Sequence, residues 1–200
     1  MKAKGVLLVL SGPSGAGKGT VCRALVEKEP NIRLSVSATT RKPRAGEVDG
    51  VNYFFVTRER FQEMIKAGEL LEWAEVYGNY YGTPRKAVEE ALQEGYDVLL
   101  EIDVQGGLQV KEKFPEAVLI FLLPPSRAAL VERLTGRGTD SAEEIRRRLR
   151  WASTELQSLY RYDYVVINRR VEEAVATIQA IITAEKCRPQ RVQLDESWGL

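Results

Sequence analysis

The sequence has no histidine among its 200 residues, and it has two cysteines, Cys22 and Cys187. The lack of histidine excludes Ser-His-Asp and Cys-His triads, histidine metal ligands and an imidazole acid or base. The two cysteines lie far apart, each in a predicted helix, which argues against a disulfide framework or a zinc site. Any chemistry must therefore depend on positioning, positive charge, carboxylates or a bound metal.

An excess of charge and a long apolar run are also absent. The 29 basic and 28 acidic residues nearly balance, so the overall field does not predict a nucleic acid or an anionic membrane as partner. The longest apolar stretches, such as Val118 to Leu123, are too short to cross a bilayer, and the N-terminus has no signal-peptide pattern. We expect one cytoplasmic domain, 1–200, and no obligate protein partner is implied.

A glycine-rich segment follows directly on the apolar run Val6 to Leu10, and a helix-like sequence follows it. We expect its four glycines to adopt positive φ angles, so that successive N–H groups converge on an anion. The helix that follows adds its positive dipole end, and Lys18 adds a point charge. The pattern predicts a phosphate-binding loop formed by Gly12, Pro13, Ser14, Gly15, Ala16, Gly17, Lys18, Gly19 and Thr20.

The end of this loop departs from the usual pattern. A serine or threonine whose hydroxyl binds Mg²⁺ normally follows the lysine, whereas here Gly19 follows Lys18 and the first hydroxyl belongs to Thr20. Either Thr20 contacts the metal, or Mg²⁺ is held mainly through water and substrate phosphates. The Lys-Gly-Thr ending is familiar from nucleoside monophosphate kinases that resemble adenylate kinase, and it favours a small kinase over a switch GTPase.

Apolar runs that alternate with helix-like segments predict an α/β fold with a parallel sheet between two layers of helices. The predicted strands are Val6 to Leu10, Asp97 to Ile102, Ala117 to Leu122 and Tyr164 to Ile167. The predicted helices are Lys18 to Glu29, Arg85 to Glu94, Arg127 to Leu134, Glu143 to Tyr160 and Val171 to Cys187. This core comprises about 1–34, 84–134 and 161–188.

Two further parts interrupt the core. Residues 35–83 contain alternating, aromatic-rich runs around a helix-like segment, Arg58 to Ala67, which predicts a small mixed insertion with antiparallel strands. Residues 135–160 begin with a polar, glycine-containing stretch between two helices, which predicts a hinged lid.

The insertion contains a second concentration of positive charge. Arg41 and Arg44 lie three residues apart around a proline, and two guanidinium groups held this close suit a phosphate because each can form bidentate hydrogen bonds. A solvated basic loop is the alternative.

Glu101 and Asp103 follow a predicted strand at its carboxyl end, where ligands bind in open α/β sheets. Helix capping or a structural ion pair is the alternative for these two carboxylates.

Several longer strings, in order behind the phosphate loop, closely resemble the guanylate kinase family over residues 5–185. They are Ser-Ala-Thr-Thr-Arg-Lys-Pro-Arg-Ala-Gly-Glu from Ser37, Glu-Trp-Ala-Glu-Val-Tyr-Gly-Asn-Tyr-Tyr-Gly-Thr from Glu72, Asp-Val-Gln-Gly-Gly from Asp103, and Gly-Arg-Gly-Thr from Gly136. The resemblance implies ATP-dependent phosphorylation of GMP by a P-loop kinase fold, with Mg²⁺ as cofactor.

The resemblance also assigns roles to residues. It implies GMP binding by Ser37, Arg41, Arg44, Glu47, Tyr53, Glu72, Tyr81, Thr83 and Glu101. It implies that Arg133, Arg137 and Asn168 join the phosphate loop in binding ATP, and that catalysis depends on Lys18, Arg41, Arg137 and Arg148. Thr20 and Asp103 are the metal-side candidates, acting through water. The family often has aspartate at position 101, so the longer Glu101 is placed either near Mg²⁺ or at the GMP end.

Chemistry supports a preference for guanine. The Glu72 carboxylate can accept hydrogen bonds from both N1–H and the 2-amino group of guanine, whereas adenine would leave it unpaired.

An adenylate kinase is the enzymatic alternative, and replacing GMP by AMP as the acceptor distinguishes the two enzymes. A catalytically inactive guanylate-kinase-like binding module is the other alternative. Such modules generally have an eroded phosphate loop, whereas Gly12, Gly17 and Lys18 are present here.

Overall fold

The computed structural model describes residues 4–136 and 142–192. The strands in these ranges are β1 (Leu7–Ser11), β2 (Ile32–Leu34), β3 (Ala38–Thr39), β4 (Phe54–Phe55), β5 (Leu70–Val76), β6 (Asn79–Pro84), β7 (Asp97–Glu101), β8 (Val118–Leu123) and β9 (Tyr164–Ile167). The helices are α1 (Lys18–Lys28), α2 (Arg58–Lys66), α3 (Arg85–Gln93), α4 (Val104–Lys113), α5 (Arg127–Thr135), α6 (Ala142–Leu156) and α7 (Val171–Lys186).

A parallel sheet with the order β2-β7-β1-β8-β9 forms the centre of the molecule. Its three central strands, β7, β1 and β8, are buried on both sides because both sheet faces are covered there. One face packs against α1 and α7 through a cluster that includes Leu8, Leu25 and Ile178. The other packs against α3 and α4 through a cluster that includes Val9, Val88 and Val110. The predicted three-layer α/β class is confirmed.

A second sheet, with the order β4-β3-β6-β5, lies within residues 35–84. Strand β3 pairs parallel to β4 and antiparallel to β6, and β5 pairs antiparallel to β6. A small core that includes Phe61, Met64 and Leu70 packs helix α2 on this sheet. The sheet is tied to the core by Gln109 of α4, which donates to the Trp73 carbonyl at 2.7 Å and accepts from its N–H at 3.3 Å.

Two elements of the core were missing from the sequence-based prediction, and one helix was predicted too long. Strand β2 is a short edge strand with the charged Arg33 at its centre, so it has little apolar pattern. Helix α4 contains Gly106 and Gly107, which lower helix propensity. The helix predicted over Glu143 to Tyr160 ends at Leu156, and a 3₁₀ turn, Leu159–Arg161, follows.

The predicted lid begins at the end of α5 and contains α6. Leu130 and Leu134 of α5 pack against Ala152 of α6, which holds the two helices together. Residues 137–141, including Arg137, lie outside the described residues. Among the residues that are described, no helix is long and apolar enough to span a membrane. The cytoplasmic location stays a prediction.

Candidate active site

The phosphate loop joins β1 to α1 and turns through three glycines with positive φ. The φ angles are 146° at Gly12, 92° at Gly15 and 93° at Gly17, which is the N-cap of α1. The Lys18 amino group donates to the carbonyl oxygens of Gly12 at 2.5 Å and Pro13 at 3.4 Å. The backbone therefore has the shape that converging N–H groups require.

Gly19 was wrongly expected to have a positive φ; it lies in the first turn of α1 instead. A Cβ atom at this position would lie 3.3 Å from Glu101 Oε1, which is tighter than an ordinary van der Waals contact. A side chain at position 19 would therefore require the Glu101 carboxylate to shift by a few tenths of an ångström.

Arg133 and Asn168 support the loop from behind. Both donate to the carbonyl oxygen of Ala16, Arg133 Nη1 at 3.2 Å and Asn168 Nδ2 at 2.8 Å. Arg133 Nη2 also donates to the Asn168 carbonyl at 2.8 Å. A Cβ atom on Gly17 would lie 2.5 Å from Asn168 Nδ2. These two predicted ATP-side residues thus fix the conformation of the loop.

Arg41 lies in the insertion and is held by Glu47 in a bidentate ion pair. The two hydrogen bonds measure 2.8 and 2.9 Å, and the Arg44 N–H donates to the same carboxylate at 2.7 Å. The hydrogen bond from Arg41 lowers the pKa of Glu47. The Arg41 guanidinium also lies 5.3 Å from the centre of the Tyr53 ring. The carboxylate therefore positions Arg41 beside the tyrosines.

Tyr53 and Tyr81 form the neighbouring wall of the insertion. Their ring centroids are 6.0 Å apart with the planes at 70°, an edge-to-face arrangement. Both rings line the cleft, as do Ser37 and the exposed side chain of Arg44. Arginine and tyrosine groups suited to a phosphate are thus brought together.

Glu72 is the most deeply buried carboxylate of the site, with 1% of its surface exposed. Its Oε1 accepts a hydrogen bond of 2.7 Å from the Thr83 hydroxyl across the β5–β6 pair. Burial raises the pKa of Glu72 to about 7. A cleft-facing carboxylate with so few partners is suited to accept hydrogen bonds from a ligand.

Glu101 and Asp103 lie at the carboxyl end of β7, between the phosphate loop and the insertion. Burial raises the pKa of Glu101, and the positive charges of Lys18 and Arg23 oppose that rise. Asp103 Oδ1 caps α4 by accepting from the N–H groups of Gln105 at 2.8 Å and Gly106 at 3.2 Å. Asp103 is therefore a helix cap through one of its two carboxylate oxygens, as the alternative interpretation of the sequence expected. The Asp103 side chain also lines the cleft.

Helix α6 closes the remaining side of the cleft. Arg148 Nη1 donates to the Ser14 hydroxyl of the phosphate loop at 3.2 Å. Trp151 and Glu155, three and seven residues further along, also line the cleft, as expected for one face of a helix. Burial raises the pKa of Glu155 to about 7, although the charge of Lys18 opposes the rise.

These elements surround a cleft of about 420 Å³. Predicted residues that line it are Ser14, Gly15, Gly17, Lys18, Gly19, Thr20, Ser37, Arg44, Tyr53, Glu72, Tyr81, Glu101, Asp103 and Arg148. Predicted residues outside its lining are Gly12, Pro13, Ala16, Arg41, Glu47, Thr83, Arg133 and Asn168, and all of these contact lining residues or support the loop as described above. Lining residues that sequence reasoning missed are Arg23, Val76, Tyr77, Gly82, Ile102, Trp151 and Glu155.

Comparison with known proteins agrees with this geometry. The family model described as guanylate kinase matches residues 4–185. A guanylate kinase of Caldanaerobacter subterraneus subsp. tengcongensis is 59% identical over 191 residues, covering 96% of this chain and 93% of that protein. One of Halalkalibacterium halodurans is 58% identical over 191 residues, covering 96% and 94%. The crystal structure of guanylate kinase from Anaplasma phagocytophilum gives a TM-score of 0.79 at 40% identity, covering 96% of this chain and 91% of that chain.

Proposed function

Because the chain belongs to the guanylate kinase family and is an ATP:GMP phosphotransferase, we propose that ATP and GMP occupy opposite ends of the same cleft. The observation that carries this proposal is that the phosphate loop and the Glu72 pocket open into one volume. Two phosphate groups can then approach each other without crossing solvent, which converts a bimolecular step into an oriented one.

At the ATP end, the phosphates lie on the loop from Gly12 to Thr20. Backbone N–H groups and the α1 dipole bind the phosphate oxygens, and Lys18 transfers its hydrogen bonds from the loop carbonyls to the β- and γ-phosphates. Arg133 and Asn168 support this end through the Ala16 carbonyl. We assign Arg137 to the same end from the family motif alone.

At the GMP end, the phosphate is bound by Arg41, Arg44, Tyr53 and Tyr81, and Glu47 keeps the Arg41 guanidinium oriented. Guanine lies against Glu72, which accepts from N1–H and the 2-amino group. Ser37 and Thr83 supply hydroxyl groups beside it. Adenine would leave the buried Glu72 carboxylate without hydrogen-bond donors. The free-energy cost of this unpaired carboxylate is large enough for strong discrimination of GMP from AMP.

Mg²⁺ is the cofactor that we propose, held largely through water. In the described part of the chain, no group of three or more acidic or cysteine side chains could hold a metal ion. Mg²⁺ usually keeps several waters and binds one or two carboxylates together with substrate phosphates, so the available donors fit such a site. Thr20, Asp103 and Glu101 are the side chains that would contact it or its waters. The ion would neutralise charge on the phosphates of ATP.

The transfer itself needs no strong base. A phosphate monoester has its second pKa near 6, so the GMP phosphate is largely dianionic at neutral pH. One of its oxygens attacks the γ-phosphorus of ATP, the bond to the β–γ bridging oxygen breaks, and ADP leaves. Lys18 and Arg148 stabilise the negative charge that spreads over the migrating group, and closure of the cleft excludes water.

A coupled assay of ADP release with ATP and Mg²⁺ tests the proposal by comparing GMP, AMP, UMP and no acceptor at equal concentrations. We expect turnover with GMP and a loss of at least about 10³-fold in Lys18→Ala. Lys28→Ala, an exposed lysine at the other end of α1, is the matched control and should retain activity. AMP as the preferred acceptor, or full activity in Lys18→Ala, would overturn the proposed substrate positions.

A further inference from the structure

The tip of the β5–β6 hairpin contacts helix α6 across the mouth of the cleft. The rings of Tyr77 and Trp151 lie 5.9 Å apart between centroids, tilted by 50°. The Arg147 guanidinium lies 4.9 Å from the centre of the Tyr77 ring, within the range of a cation–π interaction. Tyr77 therefore contacts both Trp151 and Arg147 of α6, and we call these three side chains the clasp.

The backbone of Tyr77 shows that its ring is placed there at a conformational cost. Among the described residues, Tyr77 is the one non-glycine residue with a positive φ, at 52°. Gly78 follows with a φ of 81°, so both central residues of this two-residue turn lie in the left-handed region, where asparagine and glycine are preferred. Strain of this kind persists where surrounding structure enforces it, and it is concentrated at functional sites.

The clasp lies on the path between the two substrate ends. Tyr77 and Trp151 both line the cleft, and the hairpin that carries Tyr77 also carries Glu72. One residue after Arg147 in α6, Arg148 contacts Ser14 of the phosphate loop. A single helix thus connects the GMP-side hairpin with the ATP-side loop. Movement of the hairpin would move Arg148.

From this arrangement we propose that Tyr77, Arg147 and Trp151 are positioning residues for phosphoryl transfer. The clasp holds the GMP-side hairpin against α6, which keeps Arg148 at the phosphate loop and narrows the entry for water. Because the hairpin belongs to the GMP side of the cleft, alignment and closure of the cleft then depend on the position of that side. This inference deepens the proposed function and rests on it.

Four variants test the clasp. Tyr77→Asn removes the ring and supplies a residue that the turn prefers, so it should fold at least as well as the parent protein. Trp151→Ala removes the ring from the opposite side, and the double variant combines the two. Tyr77→Phe keeps the ring and should rescue function. Tyr160→Ala removes an aromatic side chain that is 94% exposed, and it is the matched control.

The readouts are kcat, KM for GMP and the rate of ATP hydrolysis without GMP. We expect Tyr77→Asn and Trp151→Ala each to lower kcat/KM for GMP by about three- to tenfold, which corresponds to the loss of one aromatic pair. The ratio of hydrolysis to transfer should rise, while the affinity for ATP alone stays constant. The double variant should lose no more than the larger single loss, because both substitutions break the same contact.

Two results would overturn the clasp: an unchanged ratio of hydrolysis to transfer in Tyr77→Asn, or losses that multiply in the double variant. Failure of the proposed function is recognised separately, because the parent protein itself would then fail to phosphorylate GMP. Should Trp151→Ala not fold, Arg147→Gln replaces it as the α6-side variant and is judged by the same ratio.

Discussion

At the scale of single residues, the buried Glu72 carboxylate lowers the stability of the folded protein, and we propose that the same carboxylate binds guanine. Its pKa is raised by burial from the ordinary value of 4.5 to about 7, so between these pH values the folded protein binds more protons than the unfolded chain. The free energy of unfolding therefore falls as the pH rises through this interval. Above pH 7 the buried charge costs on the order of 3 kcal/mol.

The first prediction is that Glu72→Gln stabilises the substrate-free protein. Glutamine is similar in size, can still accept the hydrogen bond from Thr83 and carries no charge. We expect its unfolding temperature to exceed that of the parent protein by several degrees at pH 8, and by little at pH 5, where Glu72 is already neutral. Thermal unfolding at both pH values measures this difference, and a gain of equal size at pH 5 would contradict the electrostatic explanation.

The same substitution should weaken the use of GMP. Glutamine presents an N–H₂ group to a base edge that itself donates, so KM for GMP should rise by about 10²-fold or more while KM for ATP changes little. Glu75→Gln, an exposed residue on the same strand, is the control. Equal losses for both substrates would argue against a guanine role for Glu72.

The residues found from sequence are those that belong to local motifs. Lys18 and the glycines follow from loop geometry, while Glu72 and Thr83 came from the resemblance. Tyr77 lies within a string that carries the resemblance but received no role from it, and Trp151 lies in none of the strings. Their contact exists because the hairpin and α6 meet in space. The pKa of Glu155 likewise depends on burial that only the folded chain creates. Long-range contacts of this kind could not be predicted from one sequence.

At the scale of secondary-structure elements, α4 shows why a helix can be hidden in a sequence. Its Gly106 and Gly107 lower helix propensity, yet both are required by close packing. A Cβ atom on Gly106 would collide with the Glu72 carboxylate, and one on Gly107 would lie 2.6 Å from the Tyr162 hydroxyl. The strands β1, β7 and β8 were predictable because burial on both sheet faces leaves a plain apolar pattern.

The start of α4 provides a prediction that separates two roles of Asp103. Asparagine is as good an N-cap as aspartate, so Asp103→Asn should keep the capping bonds to the N–H groups of Gln105 and Gly106 and should leave stability almost unchanged. Asp103→Ala should lose about 1 kcal/mol of stability, a few degrees in unfolding temperature. If the negative charge serves Mg²⁺, both variants lose activity and need more Mg²⁺ for half-maximal rate. If Asp103 is only a cap, Asp103→Asn keeps full activity at the parent's Mg²⁺ requirement.

At the scale of the whole molecule, the core connects the two proposed substrate ends of the cleft. The sheet anchors the phosphate loop, α4 anchors the insertion through Gln109, and α6 contacts both sides of the cleft. The net charge of +1 leaves phosphate recognition to these local groups rather than to the overall field. The fold and the proposed substrate positions are therefore parts of one arrangement.

A ligand that spans the cleft should exploit this arrangement. A dinucleoside polyphosphate that joins adenosine to guanosine carries in one molecule the groups that both ends of the cleft bind. Once one end is bound, binding of the second end is therefore intramolecular. We expect it to bind about 10²- to 10⁴-fold more tightly than either nucleotide alone and to raise the unfolding temperature more than ATP or GMP does at the same concentration. The analogue with two adenosines is the control, because it should occupy the phosphate loop but leave Glu72 unpaired. Calorimetric titration measures both, and equal affinity for the two linked compounds would show that the GMP end does not select guanine.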